Sequence, residues 1–285
     1  MLFAAMCVIW GIPYLLIRVA VRELSPGTLV FARTAPAALL LLPLAVRRGA
    51  LRPVLRRWRW VVVFAVVELA IPWLLLSGAE RHLTSSTAGL LIAAVPLIAA
   101  VGYRFAGMEA LGRRRATGLV IGFAGVAALV GLDFGSLDPG ALAAVAVVAV
   151  GYAAGPLIVA TKLPDLPSLG VVGTAMALTA LAYAPWAATH RPAHLSPEVV
   201  ASVILLTLVC SALAFLLFFE LIAEVGPERS TVITYVNPAV AIVLGVALLG
   251  EPFTVGLAVG FPLIVAGSVL ATAATPALEP SGPAP

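Results

Sequence analysis

The chain is built almost entirely from apolar runs of about 20 residues, separated by short segments that contain arginine, proline and glycine. A helix of about that length crosses a hydrocarbon core about 30 Å thick. The chain has 62% hydrophobic and only 11% charged residues, whereas soluble domains carry about 25% charged residues. The pattern therefore predicts an all-α polytopic membrane protein.

The breaks between the apolar runs predict ten transmembrane helices. The predicted spans are residues 2–21, 27–46, 60–79, 84–105, 116–132, 139–161, 168–188, 198–221, 229–249 and 254–273. The tail at 274–285, which ends in LEPSGPAP, is predicted to be disordered. Cys7 and Cys210 lie inside apolar runs and indicate neither a disulfide framework nor a metal site.

Basic residues predict how the chain crosses the membrane. Arginines concentrate after the second span and between the fourth and fifth spans, at Arg47, Arg48, Arg52, Arg56, Arg57, Arg59, Arg104, Arg113, Arg114 and Arg115. Loops of the opposite parity hold Arg22, Arg81 and Arg191. The positive-inside rule then predicts a multi-pass protein of the cytoplasmic membrane with both termini in the cytoplasm. The lipid bilayer is the expected partner, and nucleic acid is not.

The sequence matches itself when it is shifted by 142 residues. The matched pairs are Pro96 with Pro238, Glu109 with Glu251, Gly118 with Gly260, and Gly125 with Gly267. Each copy contains five spans, an odd number, so the second copy enters the membrane in the opposite direction. We therefore predict two inverted five-helix repeats, 1–135 and 136–273, around a central cavity. Secondary transporters use this architecture and bind substrate near the midplane; duplication kept for folding alone is the alternative.

Unusual residues collect at the middle of the predicted spans. Proline leaves the carbonyl four residues earlier without its helical partner, and Pro72 does so to the carbonyl of Glu68. Freed backbone in a bilayer persists only where protein or water satisfies it. Proline is also an ordinary kink, but several at one depth favour a cavity. The predicted hinges are Gly11, Pro13, Pro72, Pro96, Pro156 and Pro238.

Helical spacing selects faces that mix aromatic and hydroxyl groups. Trp10, Tyr14 and Arg18 share one side of the first span, and Thr234 and Tyr235 share one side of the ninth. Such stripes serve packing more often than binding, and a small-molecule pocket is the other interpretation. The candidates for substrate binding or coupling are Trp10, Tyr14, Glu68, Trp73, Tyr152, Thr234, Tyr235 and Asn237.

Glu68 lies in the middle of the third span, where a charge costs roughly 2.5–3.5 kcal/mol on insertion scales. It therefore needs a partner or a hydrated cavity. One hypothesis is a structural ion pair with Arg33 in the second span, with Arg18 as the more distant candidate. The other is a cavity-facing carboxylate that binds a cation or a proton. The sequence leaves both open.

Glu109 and Glu251 stand directly before a span in each repeat. A carboxylate interacts favourably with the free N–H groups and the dipole of a helix N-terminus. We therefore predict that both are structural caps that fix the reversal between two spans.

The segment SALAFLLFFELIAEVGPERSTVITYVNPAVAIVLGVALLGEPFTVGLAVGFPLIVAGSVLA resembles the second repeat of EamA-type permeases in the drug/metabolite transporter superfamily. The first half agrees through Trp10, Gly11, Arg33, Pro96, Glu109 and Gly118. The resemblance implies ten helices in two inverted repeats, a central cavity, and transport without ATP. A glutamate in mid-helix is not a general feature of that family, so the role of Glu68 does not follow from the resemblance.

The expected function is a secondary active transporter, an exporter or exchanger of a small polar or amphipathic metabolite such as an amino acid, working by alternating access. Protons are a candidate second substrate. A multidrug or organic-cation exporter is the alternative, and a non-transporting membrane protein or a membrane enzyme ranks below it. His82, His190 and His194 lie in loops, and the chain has no G-x-x-x-x-G-K-[ST] motif. We therefore expect no catalytic residue, metal or cofactor.

Overall fold

The structure, a computed structural model, describes residues 2–105, 112–133, 137–215, 217 and 233–272. Within these ranges the side chains at 3–4, 103–105, 160, 233–235 and 272 are not described. The predicted cap Glu109 and the predicted tail at 274–285 therefore lie outside the described residues. The side chains of the candidates Thr234 and Tyr235 lie outside them as well.

The described part of the chain folds into α-helices with two π-helical segments. The α-helices are α1 Leu2–Ile9, α2 Pro13–Ala20, α3 Pro26–Arg47, α4 Leu51–Arg56, α5 Trp58–Phe64, α6 Ile71–Ala79, α7 Ser85–Ile92, α8 Val95–Phe105, α9 Arg113–Leu132, α10 Pro139–Lys162, α11 Ser168–Thr189, α12 Pro197–Thr207, α13 Ile233–Leu249 and α14 Val255–Thr272. The π-helical segments are π1 Ala65–Ala70 and π2 Leu208–Leu213.

Six helical stretches among the described residues are long and apolar enough to cross a membrane. They are Pro26–Arg47, Trp58–Ala79, Ser85–Gly102, Arg113–Leu132, Pro139–Val159 and Ser168–Thr189. Shorter apolar helices cover Ala5–Ala20, Pro197–Leu213, Val236–Leu249 and Val255–Ala271, and each overlaps one of the other four predicted spans. The prediction of an all-helical, multi-pass membrane protein is confirmed.

A short helix, α4, lies in the segment 47–59 that the sequence indicated to be a loop. Val54 on this helix is buried, and the backbone of Ala50 at its start touches Gly170 of α11. The sequence interpretation missed α4 because the surrounding arginines dominate the segment. Its apolar residues become a core face only when α11 covers them.

Helices α9 and α14 pack antiparallel through glycines that the repeat brings into register. A Cβ atom at Gly118 would overlap the backbone of Gly267 and Ala271, and one at Gly267 would overlap the backbone of Gly122. Further along, a Cβ atom at Gly125 would lie 2.8 Å from the backbone nitrogen of Ile264. Small residues allow two helix backbones to approach closely in a membrane. The matched glycines therefore form one helix–helix contact between the two halves.

Helices α3 and α11 form a second antiparallel pair between the halves. The hydroxyl of Thr28 donates to the carbonyl of His190 (3.2 Å), and Nε1 of Trp186 donates to Oγ of Ser25 (3.0 Å). A third hydrogen bond lies at the same end of the molecule, where the N–H of Ser196 donates to the Glu23 carboxylate (2.7 Å). These bonds fix the loops that follow α2 and α11 against each other.

The two π-helical segments occupy matching positions in the two halves. Glu68 lies in π1 and Cys210 in π2, and the two residues are 142 positions apart. The offset of the repeat therefore appears in the backbone as well as in the residues. Hydropathy does not distinguish a π-helix from an α-helix, so the sequence gave no sign of this feature.

Candidate functional site

Glu68 lies where the third predicted span departs from α-helical geometry. The N–H of Ile71 bonds to the carbonyl of Val66, five residues earlier, which is the spacing of a π-helix. Pro72 follows and cannot donate to the carbonyl of Glu68, because proline has no N–H. Single π-helical turns inside α-helices occur frequently at functional sites.

The Glu68 carboxylate packs against α10 of the second half. Its Oε2 atom is buried without a hydrogen-bond partner. A Cβ atom at Gly155 would overlap this oxygen, and a Cβ atom at Gly151 would overlap the carbonyl of Val67. The two glycines are one helical turn apart, so together they let α10 approach π1 closely. The carboxylate of Glu68 occupies the space that a side chain at 155 would fill.

Within the described residues, Arg33 does not form the ion pair with Glu68 that the sequence left open. Arg33 is buried, and its guanidinium carbon lies 3.7 Å from the centre of the Trp73 ring. Its Nε donates to Oγ of Ser211 (2.8 Å), and that hydroxyl donates to the carbonyl of Leu206 (2.8 Å). Stacking on an aromatic face and one hydrogen bond thus position the cation. The pair is absent because the guanidinium plane faces Trp73 and π2.

Two tyrosines lie near these charged side chains. Tyr152 of α10 is close enough to Glu68 and Arg33 to interact electrostatically with both, and its phenol interacts with the side chain of Trp73. Tyr14 of α2 is buried and lies near Tyr152. We call this group the central cluster, and its members are Tyr14, Arg33, Glu68, Trp73, Tyr152 and Ser211. It combines opposite charges with aromatic faces and a hydroxyl in mid-membrane.

Two other predicted site residues, Trp10 and Asn237, have contacts outside the central cluster. The Trp10 ring meets Phe215 edge to face, with 6.0 Å between the ring centres, and packs beside the buried residues Met6 and Cys7. Asn237 is partly buried, and its backbone carbonyl approaches Gly11 so closely that a Cβ atom there would lie 3.0 Å away. Trp10 thus packs against Phe215, and Gly11 packs against α13.

The predicted hinges differ in what the backbone does at each. The first predicted span is interrupted between α1 and α2, at Gly11 and just before Pro13, and the fourth is interrupted just before α8, which contains Pro96. Pro72 stands at the junction of π1 and α6. Pro156 and Pro238, in contrast, lie inside continuous helices. Motion at these positions remains a prediction.

Glu251 accepts hydrogen bonds at a helix N-terminus, but not at that of the helix that follows it. Its carboxylate accepts from the N–H of Ser85 (2.7 Å) and from the N–H and the hydroxyl of Ser86 (3.0 and 2.6 Å), at the start of α7. The N-terminus of α14 is instead served by Asp133, which accepts from the Thr254 hydroxyl (2.6 Å). The sequence placed this carboxylate at the start of the helix that follows it; in the structure it lies at the start of α7, whose Ser86 is 165 residues away.

Arg18 also has a different partner from the one proposed. Its Nη1 donates to the backbone carbonyl of Glu80, at the end of α6. Glu80 is fully buried, and the sequence interpretation did not single it out, because it follows directly on a predicted span end where charges are common. Ser211 was missed as well. Its hydroxyl beside Cys210 in an apolar run was the available signal.

The described residues offer no group of three or more His, Cys, Asp or Glu side chains that could hold a metal ion. The chemistry of the central cluster is therefore that of charges, a hydroxyl and aromatic rings. Such a set can bind an organic ion, orient a polar group and exchange a proton with it.

The comparisons with known proteins identify a family and a shared fold. The sequence model of the EamA-like transporter family matches residues 1–131 and again 139–273. A solved structure titled "Crystal structure of protein" is 21% identical, covers 95% of this chain and 96% of its own, and superimposes with a TM-score of 0.69. At that identity the likeness shows a common fold. No curated protein matches the chain.

Proposed function

Because the chain belongs to the EamA-like transporter family of the drug/metabolite transporter superfamily, we propose that it is a secondary active transporter of a small polar or amphipathic metabolite with the charge pattern of an amino acid. It works by alternating access, as an exporter or exchanger. The family consists of transporters, and the central cluster supplies binding groups rather than a catalytic set.

We further propose that ten spans form two inverted five-helix repeats, with the boundaries 1–135 and 136–273. The antiparallel pairs α3–α11 and α9–α14 and the matching π1 and π2 support this arrangement. The orientation is supported by a basic cleft of about 530 Å³ at the end of the molecule that the arginine-rich loop forms. It is lined by Arg56, Arg57, Trp58, Arg59, Trp60, Thr161 and Lys162, a mixture typical of the cytoplasmic membrane surface.

The observation that carries the proposal is that Glu68 and Arg33 both lie within predicted spans and are not paired with each other. A charge there is expensive unless an opposite charge or water compensates it. A zwitterion satisfies both at once, with its ammonium group on Glu68 and its carboxylate on Arg33. The ring of Trp73 stacks on Arg33, and Tyr152 interacts with both charges, so the two rings provide apolar faces for the rest of the substrate.

Counterflow into proteoliposomes with a panel of radiolabelled amino acids tests the proposal. We expect saturable, exchange-dependent accumulation that Glu68→Gln abolishes, while Glu198→Gln, an exposed position in the first turn of α12, keeps it. Thermal unfolding of both variants shows whether loss of flux reflects loss of folding. Linear, non-saturable flux would contradict a carrier.

The second candidate function is export of organic cations, which Glu68 beside aromatic rings would also favour. The two functions differ in their need for Arg33. Amino-acid counterflow requires Arg33, so Arg33→Met should abolish it. Efflux of tetraphenylphosphonium should depend on Glu68 alone.

A further inference from the structure

Glu80 is a buried residue whose carboxylate oxygens have no hydrogen-bond partner. Its side chain is fully inaccessible, and neither Oε1 nor Oε2 has a hydrogen-bond partner. It follows directly on α6, at the end of the molecule where α7 begins. A buried, ionised carboxylate without partners is so unfavourable that such groups change protonation state instead.

A second carboxylate, Glu251, lies close to Glu80 and is in the opposite situation. Three donors from Ser85 and Ser86 compensate the charge of Glu251 at the N-terminus of α7. Its electrostatic repulsion still acts on Glu80. The hydroxyl of Ser85 in the same place is buried without a partner. A Cβ atom at Gly245 would collide with these oxygens, so the glycine of α13 leaves the room that they occupy.

Arg18 is near but does not neutralise Glu80. Its guanidinium donates to the backbone carbonyl of Glu80, and within the described residues it forms no ion pair with the carboxylate. The other charged or titratable groups that act on Glu80 are Arg33 of α3, Tyr14 of α2 and Tyr152 of α10. Neither arginine is recorded in an ion pair with the Glu80 carboxylate, whose two oxygens are buried without a hydrogen-bond partner.

We propose that Glu80 is a proton-binding site, with Glu251 and Arg18 as its charged neighbours. Glu80 carries a proton while this end of the protein is closed. This inference rests on the proposed function and on the orientation that makes this the outer end. A proton is the smallest cation that neutralises Glu80.

The step that couples proton binding to transport is a simple proton transfer. When the outer end opens, water reaches Glu80, the carboxyl O–H bond breaks, and the proton passes to water. The carboxylate that forms is then stabilised by hydration and by Arg18, whose guanidinium needs only a side-chain rotation to turn from the carbonyl to the carboxylate. Closing reverses the step, and the Glu80 carboxylate takes up a proton from the outer medium again.

The electrostatics agree with the geometry. Burial raises the pKa of the Glu80 carboxyl well above its usual range, and the Glu251 carboxylate raises this pKa further, while Arg18 and Arg33 oppose the shift. Because the pKa of Glu80 is higher in the folded, closed protein than in the unfolded chain, its carboxyl contributes its full stabilisation of the folded state at pH values below the unfolded pKa. That advantage is lost as the pH rises through the folded-state pKa.

Infrared difference spectroscopy of the purified full-length protein tests the site without any substrate. A protonated carboxylic acid has a C=O stretch that an ionised carboxylate lacks. We expect this band at neutral pH in the wild type, a disappearance on alkaline titration, and the loss of that component in Glu80→Gln. Glu23→Gln, an exposed position at the same end, should keep the whole band, and Glu68→Gln should keep the component that Glu80→Gln removes.

Several outcomes would overturn the proposal. An unchanged band in Glu80→Gln assigns the proton elsewhere. A wild-type spectrum without any protonated carboxyl at neutral pH would also overturn the proposal, whether or not Glu80→Gln folds. Stabilisation of the wild type by sodium chloride over choline chloride, absent in Glu80→Gln, would instead assign a metal cation. Because transport does not enter this measurement, a failed counterflow assay leaves the site testable.

Discussion

Gly155 of α10 lies directly against the carboxylate of Glu68, and a Cβ atom at this position would overlap Oε2. The contact joins the two halves of the molecule in mid-membrane. The Glu68 carboxylate therefore occupies the space that the methyl group of an alanine at position 155 would fill.

Gly155→Ala should therefore displace the Glu68 side chain and reduce counterflow at least tenfold, with a cost of about 1–3 kcal/mol in stability because the site is overpacked. Gly78→Ala is the matched control, since a Cβ atom there meets nothing within 4 Å. Thermal unfolding in detergent and counterflow in liposomes measure the two effects. Equal behaviour of the two variants would contradict the contact.

Arg33→Lys should lose most of the activity although it keeps the charge. An ammonium group cannot lie flat on Trp73 and at the same time donate through Nε to Ser211. The expected result is a raised KM for an amino-acid substrate in counterflow. Arg81→Lys, at an exposed turn, should leave KM unchanged; if Arg33→Lys did so too, the guanidinium geometry would be irrelevant.

Glu251→Gln should destabilise the protein because α7 loses a charged acceptor. A glutamine presents an NH₂ group to donors that a carboxylate satisfied, and hydrogen bonds to charged groups contribute about 1.5–3 kcal/mol each. We expect a lower midpoint of thermal unfolding than in Glu198→Gln, whose exposed side chain lies on α12. A midpoint equal to that of this control would argue against the cap.

Gly267→Ala should weaken the contact between the two halves, because the added methyl group overlaps the backbone of Gly122 and the carbonyl of Gly118. The cost is about 1–3 kcal/mol by the same overpacking argument. Gly131→Ala in α9 should be neutral or slightly stabilising, since open space surrounds that position. Chemical denaturation of both variants in mixed micelles measures the difference.

The thermal stability of the protein should fall on acidification because of the Glu23 carboxylate in the outer loops. The N–H of Ser196 donates to its carboxylate and holds the pKa of Glu23 below the usual 4.5. A lowered folded-state pKa contributes stability above the unfolded pKa, and this is lost as the pH falls through the folded-state pKa. The thermal midpoint of the wild type should therefore fall on acidification more than that of Glu23→Gln. Identical pH profiles would exclude the effect.

The sequence by itself determined the membrane class, the positions of the apolar spans and the repeat offset. These follow from composition and local pattern: a segment that must cross lipid is apolar along its own length, and a duplicated segment keeps its scarce residues in order. The matched glycines and the anomalous Glu68 were visible for the same reason.

Only the tertiary structure decided which side chains meet. Arg33 pairs with Trp73 and Ser211 rather than with Glu68, Glu251 caps α7 rather than α14, and Glu80 is buried without a partner. The contacts of Arg33 and Glu251 each join segments that are far apart in the chain. Depth along a helix can be counted from the sequence, but its rotation about its own axis is set by packing against neighbours, and that rotation selects the partners.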